Sequence, residues 1–108
     1  MPTPSEIFAQ INSRLESHPS KTAGVTAAYA FDLSGDNGGS HHIVIRDGKG
    51  EAGSGAPANP GVTISMKDAD FVDLATGRLD GTAAFMSGKL RITGDIGLAM
   101  KLQGILRD

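Results

Sequence analysis

The chain contains no cysteine and no tryptophan, and its single tyrosine accompanies only four phenylalanines. The absence of cysteine excludes disulfides, thiolate catalysis and cysteine-rich zinc sites. No run of apolar residues approaches the roughly 20 that a membrane-spanning helix needs. No block of one charge sign occurs either, because ten basic and twelve acidic residues are interspersed and leave a net charge of −2. This balance argues against a nucleic-acid-binding protein, which would carry a basic patch.

The two termini carry no recognisable targeting signal. The N-terminal residues lack the basic start and apolar run of a secretory signal, and Leu106-Arg107-Asp108 is neither a peroxisomal nor an ER tripeptide. We therefore expect a cytoplasmic protein. A length of 108 residues predicts one domain over 1–108.

The first half of the chain predicts one helix followed by strands. Thr3, Pro4 and Glu6 form a helix start of the capping-box type. Apolar residues at helical spacing then follow up to Leu15, and His18-Pro19 ends the helix. Alternation with a period of two predicts strands at 25–33 and 62–66. Residues 41–46 are predicted as a second strand, and the hairpin turn Asp47-Gly48 after it predicts a short antiparallel return at 49–53.

The second half changes to helical spacing. It predicts two short helices that end at Gly77 and Gly88, the second capped by Asp80. A fifth strand around Leu90 and a last helix, which Gly94-Asp95 opens, complete the chain. Strands followed by helices, with one late strand joining a meander, are typical of an α+β fold with helices over one face of the sheet.

The last helix is unusually apolar. From Ile96 to Leu106 the only charged or amide side chains are Lys101 and Gln103, whereas a surface helix normally keeps one polar face. Such a helix must bury apolar side chains on more than one of its faces. Packing in the core, lining of an apolar ligand site and contact with a partner chain remain three open interpretations.

Several short motifs are typical of nucleotide, metal or catalytic sites, but their sequence context does not fit such sites. The stretch Gly48–Gly53 matches G-x-G-x-x-G, yet it leads into a proline-containing loop and not into the helix that would hold a pyrophosphate. His41 and His42 are adjacent, so in a strand they face opposite sides and cannot chelate one metal. We expect both to be solvated or half-buried. No serine lies in a nucleophile elbow, so we predict no cofactor, no metal and no enzyme activity.

The C-terminal half resembles a known family. The segments 62–66, 70–79 and, most specifically, Met86-Ser87-Gly88-Lys89-Leu90 through Leu98-Ala99-Met100-Lys101-Leu102 are similar to those of the sterol carrier protein 2 family, the non-specific lipid-transfer proteins. The N-terminal helix and Asp47-Gly48-Lys49-Gly50 agree in order and spacing. The resemblance implies a single-layer five-stranded mixed sheet with helices over one face, and an apolar tunnel between them.

The resemblance also implies the ligands and the residues that would hold them. The ligands are fatty acids, fatty acyl-CoA, sterols or phospholipids, bound and transferred without catalysis. The implied lining residues come from helices and strands alike: Ile11, Leu15, Tyr29, Phe31, Ile43, Ile45, Phe71, Leu74, Phe85, Met86, Ile92, Ile96, Ala99, Met100 and Gln103. We further expect transient contact with a membrane surface and a monomer or weak homodimer. The alternative function is a protein-interaction or self-association module that uses the apolar C-terminal helix.

Overall fold

The computed structural model describes residues 3–17, 26–46 and 49–106, with side chains up to residue 102. The predicted helix end at His18-Pro19, the strand start at Val25 and the Asp47-Gly48 turn lie outside the described residues. The elements are α1 (Pro4–Ser17), β1 (Ala27–Ser34), β2 (Gly39–Arg46), β3 (Lys49–Ser54), β4 (Val62–Lys67), α2 (Asp68–Ala75), α3 (Gly81–Met86), β5 (Leu90–Gly94) and α4 (Ile96–Leu106).

The five strands form one mixed sheet in the order β3-β2-β1-β4-β5. Strand β1 is central and pairs antiparallel with β2 and parallel with β4. Strand β5 joins last, antiparallel to β4, with Ile64 opposite Ile92. The predicted meander holds for β1–β3 only, because β4 crosses over to pair with β1 and does not lie beside β3. The late fifth strand is confirmed, and β5 is an edge of the sheet.

The helices pack on one face of the sheet. Along β1 the buried residues Tyr29, Phe31 and Leu33 alternate with positions such as Asp32 that face water. Helix α1 packs on β3 and α2, whereas α3 packs on β5 and α4 on β4 and β5. One hydrophobic core thus lies between the sheet and α1 and α2, with α3 and α4 covering the β4–β5 side.

An aromatic stack joins α1 to the sheet. The ring of Phe8 is parallel to that of Phe71, 4.9 Å away, and to the imidazole of His41, 4.5 Å away on β2. His41 is only 4% exposed, so the expectation of a solvated or half-buried histidine is wrong there and holds only for His42. Burial lowers the pKa of His41, nearby His42 lowers it further, and a hydrogen bond to the Gly53 backbone opposes the shift.

The predicted helix starts are confirmed. Thr3 Oγ1 accepts a hydrogen bond from Glu6 N at 3.3 Å, which is half of the expected capping box. The Asp80 carboxylate accepts from Ala83 N at 3.0 Å at the start of α3, and the Asp95 carboxylate accepts from Leu98 N at 3.3 Å at the start of α4. These caps fix where the two helices over the β4–β5 side begin.

Candidate functional site

An apolar groove lies between α3, α4 and the β4–β5 side of the sheet. Its volume is about 260 Å³. The lining is aliphatic and aromatic except for Gly81 and Thr82, and its other members are Ile64, Leu74, Phe85, Leu90, Ile92, Ile96, Ala99, Met100 and Leu102. No side chain in this lining is ionisable, so the groove can accommodate only the uncharged part of a ligand without a desolvation cost.

The groove is open along one side. Phe85 is 45% exposed, Ile96 56% and Met100 75%, although all three line it. Large apolar side chains that remain this accessible and lie next to each other usually mark a ligand groove or an interaction surface.

Helix α4 is attached to the sheet mainly at its first turn. The Tyr29 hydroxyl on β1 donates a hydrogen bond of 2.8 Å to the carbonyl oxygen of Leu98. The backbone N–H of Asp95 donates to the Gly61 carbonyl oxygen at 3.0 Å. Further along, Leu102 is buried while Met100 points to solvent. The groove wall is therefore held to the sheet by hydrogen bonds at its N-terminal end and by the buried Leu102 further along.

The Tyr29 hydroxyl is an ionisable group in direct contact with α4. Burial raises its pKa to about 12, and the negative charge of Asp95 contributes to the rise. At neutral pH the hydroxyl is thus protonated and able to donate to Leu98. Its role here is to position α4, because Tyr29 itself is fully buried and does not line the groove.

The structure divides the predicted ligand-binding residues into groups. Six line the groove: Leu74, Phe85, Ile92, Ile96, Ala99 and Met100. Seven lie in the packed core away from it: Ile11, Leu15, Tyr29, Phe31, Ile43, Ile45 and Phe71. Met86 is 79% exposed and outside the groove lining, and the side chain of Gln103 is outside the described residues.

Three apolar lining residues were missed by the sequence analysis. Ile64 and Leu90 are inward positions of β4 and β5, and Leu102 is the buried residue of α4. The period-two alternation that predicted both strands also identified their inward side chains, so that signal was available for Ile64 and Leu90. The closed tunnel implied by the resemblance is not seen among the described residues, where the apolar space is the open groove.

Two further kinds of site, a metal centre and a membrane-spanning helix, were looked for among the described residues. Its His, Asp and Glu side chains nowhere form a group of three that could hold a metal ion. Over the same residues, every helix is too short or too polar to cross a membrane.

Comparison with known proteins identifies the family. Residues 8–107 match the model of the SCP-2 sterol transfer family. The chain belongs to this family. Among curated relatives, hydroxysteroid dehydrogenase-like protein 2 of Xenopus tropicalis is 43% identical over 102 residues, which cover 94% of this chain and 24% of the relative. The SCP-2 chain thus spans about a quarter or less of the curated relatives it matches.

Solved structures of the family have the same fold. The sterol carrier protein domain 2 of Helicoverpa armigera is 32% identical, with a TM-score of 0.72 over 93% of this chain and 84% of that one. Sterol Carrier Protein-2 of Aedes aegypti in complex with palmitate is 24% identical, with a TM-score of 0.72 over 98% and 96% of the two chains. The predicted five-stranded mixed sheet with helices over one face is confirmed.

Proposed function

We propose that this SCP-2 domain binds the apolar part of a lipid in the groove between α3, α4 and β5, and carries it without changing it chemically. The candidate ligands are a fatty acid, a fatty acyl-CoA, a sterol or a phospholipid. The observation that carries the proposal is the apolar lining, which stays open to solvent at Phe85, Ile96 and Met100. Family membership and the palmitate complex of the Aedes aegypti protein support it.

The lining also decides where a polar head group would lie. Because none of the described side chains that line the groove is ionisable, a carboxylate or phosphate would remain at the open side, in water. The same observation supports a carrier over an enzyme, since a reaction on the bound lipid needs an acid, base or nucleophile within reach of it. Binding without head-group contacts depends on non-directional apolar burial, so we expect broad ligand selectivity.

The size of the groove implies that it widens on loading. Its volume of about 260 Å³ is below the roughly 300–1,000 Å³ of typical ligand pockets. Each methylene group that enters contributes about 0.8 kcal/mol, so burial of a long chain can drive the wall outward. The wall that can yield is the part of α4 beyond its first turn, because the first turn is held by the hydrogen bonds from Tyr29 to Leu98 and from Asp95 to Gly61. We propose that the family's tunnel forms in this way around a bound lipid.

The remaining properties belong to the same proposal. A carrier that exchanges lipid would act in the cytoplasm, as a monomer or weak homodimer, and would contact membranes transiently. Its head-group preference, and hence its physiological lipid, would depend on residues around the open side of the groove.

The test is displacement of a fluorescent fatty acid from delipidated protein, with native mass spectrometry of the gently purified protein to identify co-purified lipid. Met100→Glu puts a carboxylate at the open edge of the groove and should weaken binding by at least about tenfold, because a lipid that covers this position would bury the charge without a partner. Ala9→Glu adds the same charge on the exposed face of α1 and should bind normally. A folded Met100→Glu variant with unchanged affinity would contradict the proposed site.

Met86→Glu measures how far the site extends. Met86 is as exposed as Met100 but does not line the groove, so it should bind normally if the lipid stays within the groove. Equal losses in both variants would indicate a longer tunnel that includes Met86.

The exposed apolar residues also favour a second function, self-association through α4. Ile96 and Met100, 56% and 75% exposed, could cover each other in a dimer. Sedimentation velocity over a range of concentrations would detect it, and Met100→Glu should then convert a dimer into a monomer.

A further inference from the structure

The face of the sheet opposite the groove carries a group of basic side chains. Leu90 and Ile92 line the groove, so Lys89 and Arg91, which alternate with them along the chain, point to the other side of the sheet. Together with Lys67 at the end of β4, these two basic residues line an open polar cleft of about 740 Å³, which we call the outer cleft. Its volume lies within the roughly 300–1,000 Å³ of typical ligand pockets.

The charges of the outer cleft are not paired with one another. The cleft also contains two carboxylates, Asp32 of β1 and Asp70 of α2. Asp32 lies beside Ser65 of β4, and Ser65 lies opposite Arg91 of β5, so the backbones of Asp32 and Arg91 are two strand spacings apart, or about 10 Å. Among the described residues, no carboxylate lies within ion-pair distance of the three basic side chains. Both kinds of charge are therefore available to a ligand.

The donors and acceptors of the outer cleft define the chemistry of a matching ligand. The three basic side chains can donate charge-assisted hydrogen bonds to phosphate oxygens. The carboxylates of Asp32 and Asp70 repel a bare anion but accept hydrogen bonds from hydroxyl groups. Three serine hydroxyls, of Ser34, Ser65 and Ser87, line the same cleft, whereas none of its described lining residues is aromatic. A ligand with both phosphate and hydroxyl groups fits this set, and a stacked base is not required.

We propose that the outer cleft is a second binding site, separate from the groove, which takes a sugar phosphate, either free or as the nucleotide end of a fatty acyl-CoA. The second source rests on the proposed function, because the acyl chain would then lie in the groove. Only β5 separates the two sites, and β5 is an edge strand of the sheet. The flexible arm of coenzyme A, which joins the thioester to the phosphates, can pass around this edge.

The shared chemistry is tested by titration with adenosine 3′,5′-bisphosphate, followed in amide NMR spectra. The signals of Ser65, Lys67 and Arg91 should shift, whereas those of Ala99 and Met100 in the groove should not. Adenosine, which lacks phosphate, and inorganic phosphate, which lacks the sugar, should each bind at least about tenfold more weakly. Ribose 5-phosphate should shift the same signals. Absence of shifts at the cleft, or equal binding of inorganic phosphate, would overturn the proposal.

Single substitutions test the roles of the charged side chains. Arg91→Gln should weaken binding of the bisphosphate by about fivefold, the contribution of one ion pair in contact with water. Lys49→Gln removes the same charge from β3, at the opposite edge of the sheet, and should bind normally. Equal losses in both variants would mean that net charge alone matters and would overturn the site. Asp32→Ala should reduce the preference for the bisphosphate over inorganic phosphate, and an unchanged preference would overturn the assigned sugar contact.

A comparison of palmitate with palmitoyl-CoA, kept below the concentration at which it forms micelles, distinguishes the two sources. If one ligand occupies both sites, palmitoyl-CoA should displace the fluorescent fatty acid at least about tenfold more effectively than palmitate. Arg91→Gln should then remove most of this advantage and leave palmitate unaffected. Binding of the bisphosphate without any such advantage would assign the cleft to a free sugar phosphate. If wild-type protein binds no fatty acid at all, the proposed function is refuted, and the bisphosphate titration still decides the outer cleft.

Discussion

Replacement of Tyr29 by phenylalanine tests how α4 is held in place. The change removes the hydroxyl that donates to Leu98 O at 2.8 Å and leaves the buried ring intact. A buried hydrogen bond of this kind contributes about 1 kcal/mol to the free energy of unfolding. For a domain of this size, that loss lowers Tm by about 4–8 °C.

The effect should reverse at high pH. In the folded protein the pKa of Tyr29 is raised to about 12 from its usual 10.0, so folding favours the neutral hydroxyl. The resulting stability is fully present below pH 10.0 and is lost as the pH rises toward 12. The full loss is on the order of 2–3 kcal/mol, which exceeds the value of the hydrogen bond. Tyr29→Phe does not ionise, so it should become the more stable protein above about pH 11.

Two measurements check this reasoning. Urea unfolding followed by circular dichroism compares wild type and variant at neutral pH and in the alkaline range. Because the chain has one tyrosine, the ultraviolet absorbance of tyrosinate titrates Tyr29 directly. An ordinary pKa, or equal stability of the two proteins at neutral pH, would refute the assigned hydrogen bond and the anchoring of α4.

Two further predictions concern stability elsewhere in the fold. Burial lowers the pKa of His41 below its usual 6.5, so the free energy of unfolding should fall as the pH drops below that value. His41→Phe keeps the stack on Phe8 but cannot be protonated. In acid unfolding experiments, this variant should therefore show a smaller fall. Gly94→Ala should be more destabilising in thermal unfolding than Gly88→Ala. Both glycines have positive φ, 109° at Gly94 and 80° at Gly88, a conformation that costs an alanine about 1–3 kcal/mol. A Cβ at Gly94 would also lie 2.5 Å from the backbone oxygen of Gly61, whereas the space at Gly88 is open.

The sequence pattern predicted the elements of this fold better than it predicted the site. Period-two alternation identified the inward side chains of β1 correctly, including Tyr29, and the family resemblance supplied Ile43 of β2, which is also buried. It could not show which helix would cover each of them. Because α1 and α2 fill the space over β1 and β2, those residues became packed core, and the apolar space that remained open lies over β4 and β5.

Two residues show what a local sequence pattern cannot predict. Met86 is the last residue of the six-residue helix α3, which is too short for its apolar pattern to define a face. Its side chain is exposed and does not line the groove. His41 appeared to be a polar strand residue, yet its ring is covered because Phe8 from α1 stacks on it. That contact joins positions far apart in sequence, so only the tertiary structure reveals it.

The residues that line the groove come from a short and nearly continuous part of the chain. Apart from Ile64, every residue that lines it comes from Leu74–Leu102, whereas the aromatic stack at the centre of the core depends on α1, β1, β2 and α2. The proposed lipid-binding groove and the aromatic centre of the core are therefore encoded in largely separate stretches of sequence. Since Phe85, Ile96 and Met100 are 45%, 56% and 75% exposed, evolution or a protein engineer can vary these groove-lining side chains, and with them the proposed lipid preference, at little cost to the stability of the domain.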